Sequence, residues 1–402
     1  MVSCYGHAQV FSYETSYPSV DYATRPLSDR VTRLMADIDA GEVTLEFADN
    51  GRGYLDSLLA ALDIDPASQF LVFSKTALKT RFVTAANPRA LYFNDDTYVG
   101  ITHNSRTLEI TAMDPNVGQV FFDLSQDPDA PVTLTREQNR CLRCHDSYSM
   151  TGGGVPRFLL SSVLANAEGE IVTHEISVIT DTSTPLNRRW GGMYVTGTHG
   201  SQETLGNFVV DDIAKLTNMN LAANGNKTDL SAYLDTGSYI SSGSDIVALL
   251  VVEHQVEVQN AITRLNFDSR AQLASTGGIP IPDLDAMVQP LLESLFMVHE
   301  AALTDAIRGS SGYSDHFQAL GPTDGSGRSL RQLDLRERTF RYPFSYLIYS
   351  AAIDALPEPV LAHLYQRIRQ VLAGEDAGIL LAAENRDAIS AILRDTKPAI
   401  FR

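Results

Sequence analysis

Cysteine is scarce in this chain: the 402 residues hold only three, Cys4, Cys141 and Cys144. So few thiols exclude the disulfide-dense scaffold of a small secreted domain. Cationic side chains are in deficit, with 31 Lys and Arg against 49 Asp and Glu and a formal charge of −18. That balance argues against nucleic acid as a partner, because its binding rests on neutralising phosphates. No apolar run reaches the roughly 18 residues that a bilayer demands, so the chain is expected not to be transmembrane. Internal repeats and low-complexity tracts are missing, and neither G-x-S-x-G nor a P-loop occurs, so no hydrolase triad or nucleotide loop competes for attention.

What is present suffices for a large core, since 44% of the residues are hydrophobic. A chain of this length is expected to divide into two or three lobes. Residues 27–62 read as two helices. "QFLVFSK", "RALYFNDDTYVGIT", "LEITAMD" and "GQVFFDLS" then read as strands of an antiparallel sheet, with Asn94, Asp95 and Asp96 in a solvated turn rather than a carboxylate site. Beyond residue 206 the helical period dominates. Ser244 is the expected N-cap of a long helix whose first turns are apolar nearly all round and therefore buried. Further helices are expected at about 283–308, 358–373 and 384–395. The fold class is α+β: a strand-rich, antiparallel N-terminal part over 1–130, a central segment over 131–205, and a mainly helical part over 206–402.

The central segment carries "NRCLRCHDSY", residues 139–148. C-x-x-C-H reads as a c-type haem attachment site, in which two thiols add to the vinyl groups of one porphyrin and the histidine binds its iron. Chance would produce this pattern about 0.0005 times in a chain of this composition. Thr135 and Gln138 form a capping box that predicts a helix from about Arg136 through the motif. On that helix Cys141, Cys144 and His145 stand at i, i+3 and i+4, on one face. Zinc would require a fourth ligand, and no second cysteine pair supplies one. A thioredoxin-like pair would require a preceding βαβ pattern, which is missing.

Over these residues the chain resembles the c-type cytochromes. More widely, "ALYFNDDTYVG", "RWGGMYVTGTHG" and "RYPFSYLIYS" are similar to segments of large bacterial single-haem proteins known only as cytochrome c domain-containing. The resemblance implies one haem c per chain and a periplasmic or otherwise extracytoplasmic location, because such haem is ligated outside the cytoplasmic membrane. A disulfide between Cys141 and Cys144 is therefore not expected. The opening "MVSCYGHAQVFSYETSYPS" lacks the charged start and apolar run of a secretory signal, so no intact signal peptide is expected within this sequence. Its "VSC" resembles the end of a lipoprotein signal, which makes Cys4 a candidate lipid anchor beside the plainer reading of an incidental thiol.

With His145 proximal, function turns on the residue across the iron: a strong second ligand makes a carrier, and an open position permits chemistry. His199 is the first candidate and Met193 the second, both within the glycine-rich "WGGMYVTGTHG", where glycine lets backbone approach a flat ligand. His174 and His254 are weaker candidates, the latter reading as a hydrogen-bonded core histidine. Met150 lies too close to the motif to fold back. Arg157 is a candidate partner for a haem propionate. The cluster Arg328, Arg331, Arg336, Arg338 and Arg341 could serve likewise, though a solvated strip is the expected reading. Trp190 and Tyr148, Tyr342, Tyr346 and Tyr349 could line the pocket or belong to the core. Glu253, His254, Glu257, His299 and Glu300 lack the Glu-x-x-His spacing of a bundle metal site and read as ordinary helix residues.

Two functions follow. One is a redox protein that transfers electrons through a single covalent haem, with a redox protein as partner. The other is a haem enzyme, peroxidase-like or acting on a small oxidisable substrate, with an open distal site; no catalytic residue is identified for it. The chain is four times the length of a simple carrier, which leaves room for either.

Overall fold

In the computed structural model, residues 19–77, 79–147, 154–212, 216, 219–277 and 283–402 are described. Cys4, Tyr148 and Met150 lie outside them. The architecture is α+β, with antiparallel sheets in the N-terminal half and helices toward the C-terminus. Two helices, α1 (Arg30–Asp39) and α2 (Leu55–Ala61), precede a six-stranded meander. Its strands are β1 (Phe70–Val72), β2 (Arg89–Phe93), β3 (Thr97–Ile101), β4 (Thr107–Asp114), β5 (Gly118–Ser125) and β6 (Leu134–Arg136), each antiparallel to the next.

The period-2 alternation gives this sheet two unlike faces. Leu108, Ile110 and Ala112 of β4, with Val120, Phe122 and Leu124 of β5, enter a core shared with Val31, Leu34 and Leu58 of the first two helices. The opposite face carries Arg89, Leu91, Phe93, Tyr98, Gly100, Glu109, Thr111, Phe121 and Asp123. At one end it is closed by α4 (Ile246–Ser275), where Tyr98 Oη donates to Gln259 Oε1 at 2.7 Å. At the other end Arg89, Glu109 and Thr111 are only half-buried. Helix α3 (Asn139–His145) lies beside that half-open end.

A second sheet joins β7 (Ser161–Asn166) to β8 (Ile171–Ile179) antiparallel and to β9 (Val209–Val210) parallel. The C-terminal helices α5 (Leu284–Leu295), α6 (Tyr313–Ala319), α7 (Glu358–Ala373) and α8 (Ala383–Thr396) share one large core with α4. None of the helices among the described residues is long and apolar enough to cross a membrane.

Local expectations shift in three places. The helix of the motif starts at Asn139, because Thr135 is paired with Asp123 in β6 and Gln138 makes no side-chain cap. Asp245, not Ser244, caps α4; the Ser244 hydroxyl instead donates to Tyr194 O and accepts from Leu71 N. The turn after β2 is a turn, but its carboxylates are engaged: Asp96 takes Arg30 and Asp95 takes Arg331. Arg331 is consequently buried, with its guanidinium 4.3 Å from the Tyr346 ring centroid and 4.9 Å from that of Phe317, rather than part of a solvated strip.

Candidate haem site

Cys141, Cys144 and His145 occupy one helix, α3, with Cys141 half-buried, Cys144 exposed and both thiols free. The spacing therefore puts the three groups on one face, as i, i+3 and i+4 positions must be. Leu142 enters the core beneath the sheet, and Cys141 packs against the same core. Asp123 of β5 anchors the helix by accepting from Arg140 at 3.0 Å and from Lys79 at 2.7 Å.

His145 packs on Phe121 of β5 with ring centroids 4.7 Å apart. Its Nδ1 lies 2.6 Å from the Arg157 carbonyl, and the Arg157 amide donates back to the His145 carbonyl at 2.8 Å. A carbonyl only accepts, so Nδ1 carries the proton and Nε2 is the bare nitrogen. That nitrogen makes no hydrogen bond among the described residues. Burial holds the imidazole below its ordinary pKa, which keeps the ring neutral. A neutral ring fixed through Nδ1, with Nε2 free, is what a metal-ligating histidine requires.

The Cys141 thiol is not tuned for thiol redox chemistry. Burial, with Asp123, Glu109 and Glu137 adding negative charge, pushes the Cys141 thiol up to about 12. A thiol-exchange cysteine needs a lowered pKa in an electropositive setting. Among the described residues no three His, Cys, Asp or Glu side chains gather as a metal site either. Two thiols and a bare imidazole nitrogen on one helix face are compatible with a flat ligand covalently held, for whose metal Nε2 of His145 would be the free donor.

Arg157 supplies the carbonyl that orients His145, and its own Nε is buried with no hydrogen-bond partner among the described residues. The candidate sixth ligands are placed elsewhere. Met193 forms a bridge with Val72 beyond the free edge of β1, and its amide donates to the Trp190 carbonyl. Five inter-strand spacings separate it from β5, on the order of 24 Å along the sheet. His199 Nε2 accepts from the Asn226 amide at 3.1 Å, near the bridge between Thr198 and Arg308. No hydrogen bond or ring contact joins either residue to His145 among the described residues. The glycines of this segment admit backbone: a Cβ on Gly191 would meet Val163 O at 2.7 Å, and one on Gly197, at φ +135°, would collide with Arg308 O.

Trp190 is buried in the core shared with α4, and its Nε1 has no partner among the described residues. His254 is the core histidine expected: Nε2 lies 2.8 Å from Ser345 Oγ, the ring packs on Phe340 and Tyr346, and burial alone drops its pKa to about 3. His174 stands in β8, which pairs with β7. Arg328 pairs with Asp324, and Arg341 lies over Tyr342, so these members of the arginine cluster are engaged in the C-terminal half. Phe121, Glu109 and Arg89 were not among the residues singled out. Their alternation along β2, β4 and β5 is visible in the sequence, but only the register places them beside α3. No protein-family model, curated protein or solved structure matches this chain.

Proposed function

We propose that this chain is an extracytoplasmic redox protein carrying one covalently attached haem c, through whose iron electrons pass. The observation that carries the reading is the tautomer of His145: Nδ1–H is spent on the Arg157 carbonyl, and Nε2 is left bare on the helix face that presents both thiols. Cys141 and Cys144 would form the thioethers, His145 would hold the iron, and Arg157 would both orient that ring and offer a cation to a propionate. When bound, the haem supplies a one-electron couple at iron. Replacing Cys141→Ala together with Cys144→Ala is expected to abolish haem that survives denaturation, read by a pyridine haemochrome assay on the protein exported through a haem-ligating host. Equal covalent haem in the variant would overturn the assignment.

A second reading, a haem enzyme acting on peroxide or another small molecule, is favoured by one observation: His199 and Met193 are both engaged away from His145. An iron lacking a strong sixth ligand binds exogenous ligands. The reduced protein is therefore expected to take up carbon monoxide with a shift of its main visible band. A low-spin spectrum indifferent to carbon monoxide would return the protein to the plain carrier.

A further inference from the structure

The half-open end of the six-stranded sheet carries a charged pair that the motif does not explain. Leu91, Gly100, Glu109, Asp123 and Thr135 form one row across β2 to β6, and Arg89 lies two residues from Leu91 on the same face. Arg89 Nη2 meets Glu109 Oε2 at 2.8 Å. Its guanidinium lies flat on Gly100, where an added Cβ would come within 2.6 Å of Nη2 and 2.9 Å of Nε. The buried Nε has no hydrogen-bond partner among the described residues. Glu109 stands directly opposite Asp123, the residue that accepts from Arg140 of α3, so the pair lies on the strands next to the anchor of the motif helix.

An arginine half-buried beside a ligand site, with donors to spare, is costly unless something accepts from it. Among the described residues Glu109 is the one carboxylate paired with it, through Nη2. A haem joined at α3 brings two further carboxylates to this region. We propose that Arg89, laid across Gly100 and steered by Glu109, is a positioning residue that holds one haem carboxylate, on the sheet side of the site. Arg157 holds the other carboxylate from the loop side. This rests on the haem assignment above.

The position has an electrical consequence. A fixed cation near the haem favours the reduced iron, which carries one positive charge fewer. Removing it should shift the reduction equilibrium toward the oxidised form. Gly100 offers a control that keeps the arginine: an alanine Cβ there collides with the far end of a flexible side chain and pushes the guanidinium off its seat, while the strand backbone, at negative φ, tolerates alanine.

The experiment uses the full-length haem-loaded protein and its Arg89→Leu, Arg89→Lys and Gly100→Ala variants, with covalent haem content and midpoint potential measured for each. Covalent haem is expected in all four. Arg89→Leu should shift the reduction equilibrium at least tenfold toward the oxidised form, about 59 mV for one electron. Gly100→Ala should shift it in the same direction, and Arg89→Lys should recover most of the loss. Wild-type potentials in both Arg89→Leu and Gly100→Ala would overturn the role of Arg89 and leave the haem assignment standing. Wild-type protein without covalent haem would overturn both. Should Arg89→Leu fail to fold, Gly100→Ala alone decides.

Discussion

Replacing Arg189 by methionine is expected to cost about 3–5 kcal/mol of stability, the range found when one partner of a buried ion pair is removed. Arg189 Nη1 meets Glu253 Oε2 at 2.8 Å, and the two side chains are 4% and 1% exposed. Its Nε donates to the Thr184 carbonyl at 2.6 Å and its Nη2 to the Thr182 carbonyl at 2.7 Å. One side chain therefore ties the loop before Trp190 to the N-terminal third of α4, and Glu257 reinforces it by accepting from the Thr182 amide and hydroxyl. Without Arg189, a carboxylate only 1% exposed to solvent is left with no countercharge.

The variant's deficit should depend on pH. Burial already holds the Glu253 carboxyl above its usual range despite Arg189, and losing Arg189 removes the nearest force pulling it down. A carboxyl whose folded pKa lies above its unfolded value binds its proton more tightly when folded, so stability is lost as pH rises through the folded pKa. Urea denaturation should show the deficit shrinking from pH 8 toward pH 5. The double variant Arg189→Met, Glu253→Leu should recover a large part of the loss, because a matched apolar pair carries no desolvation penalty. A pH-independent deficit below about 1 kcal/mol would mean that water reaches the pair after all, as it does for surface pairs.

The contrast between this pair and the helix around it shows which parts of the fold local pattern can reveal. Strands β2 to β5 were legible because each is short, rich in Phe, Tyr, Val and Ile, and bounded by turn residues. Helices α7 and α8 were legible because each keeps a 3.6-residue apolar stripe. Glu253 and Glu257 were read as ordinary helix residues, since nothing near them in sequence announces Arg189 or Thr182. Arg331 fails in the same way: five arginines in fourteen residues look solvated until Asp95, 236 residues away, is found to neutralise the second of them. Pairing across such distances is set by the fold and leaves no local trace.

The site divides along the same line. C-x-x-C-H is a local chemical pattern, and its residues share a helix face because helical geometry leaves no alternative. The partner of Nδ1 was not legible as such, although Arg157 was singled out for its charge; what it supplies to His145 is its carbonyl. The sixth-ligand candidates came from counting residues beyond the motif, a rule that presumes a small all-helical cytochrome. Here the segment bearing Met193 and His199 is drawn to the opposite edge of the sheet by hydrogen bonds from the Phe73 and Tyr194 amides to the Gly192 and Leu71 carbonyls. Strand order, not sequence separation, sets the distance to His145.

Asp245→Ala is expected to cost about 4 kcal/mol or more, because a single carboxylate serves two sets of donors at a junction of four segments. Oδ1 caps α4 by accepting from the Val247 and Ala248 amides at 2.8 and 3.1 Å. Oδ2 accepts from the Ser310 and Ser311 amides and the Ser311 hydroxyl at 2.6, 2.8 and 2.9 Å. The residue is wholly buried, and its own amide donates to the Gln69 carbonyl just before β1, while Thr196 bridges it on the other side. Losing the cap alone costs about 1 kcal/mol, and each buried donor left without an acceptor costs about 1–3 kcal/mol. Asp245→Asn separates the two roles. Its amide has one oxygen, so whichever way it is turned, one set of donors faces an NH₂ group; the expected loss is about half that of alanine. Hydrogen exchange should then locate the damage, with faster exchange in the first turn of α4 and at Ser310 and Ser311 in the alanine variant. If asparagine were as stable as wild type, water would have to be reaching Oδ2, and the junction would be held by the apolar first turns of α4 rather than by its cap.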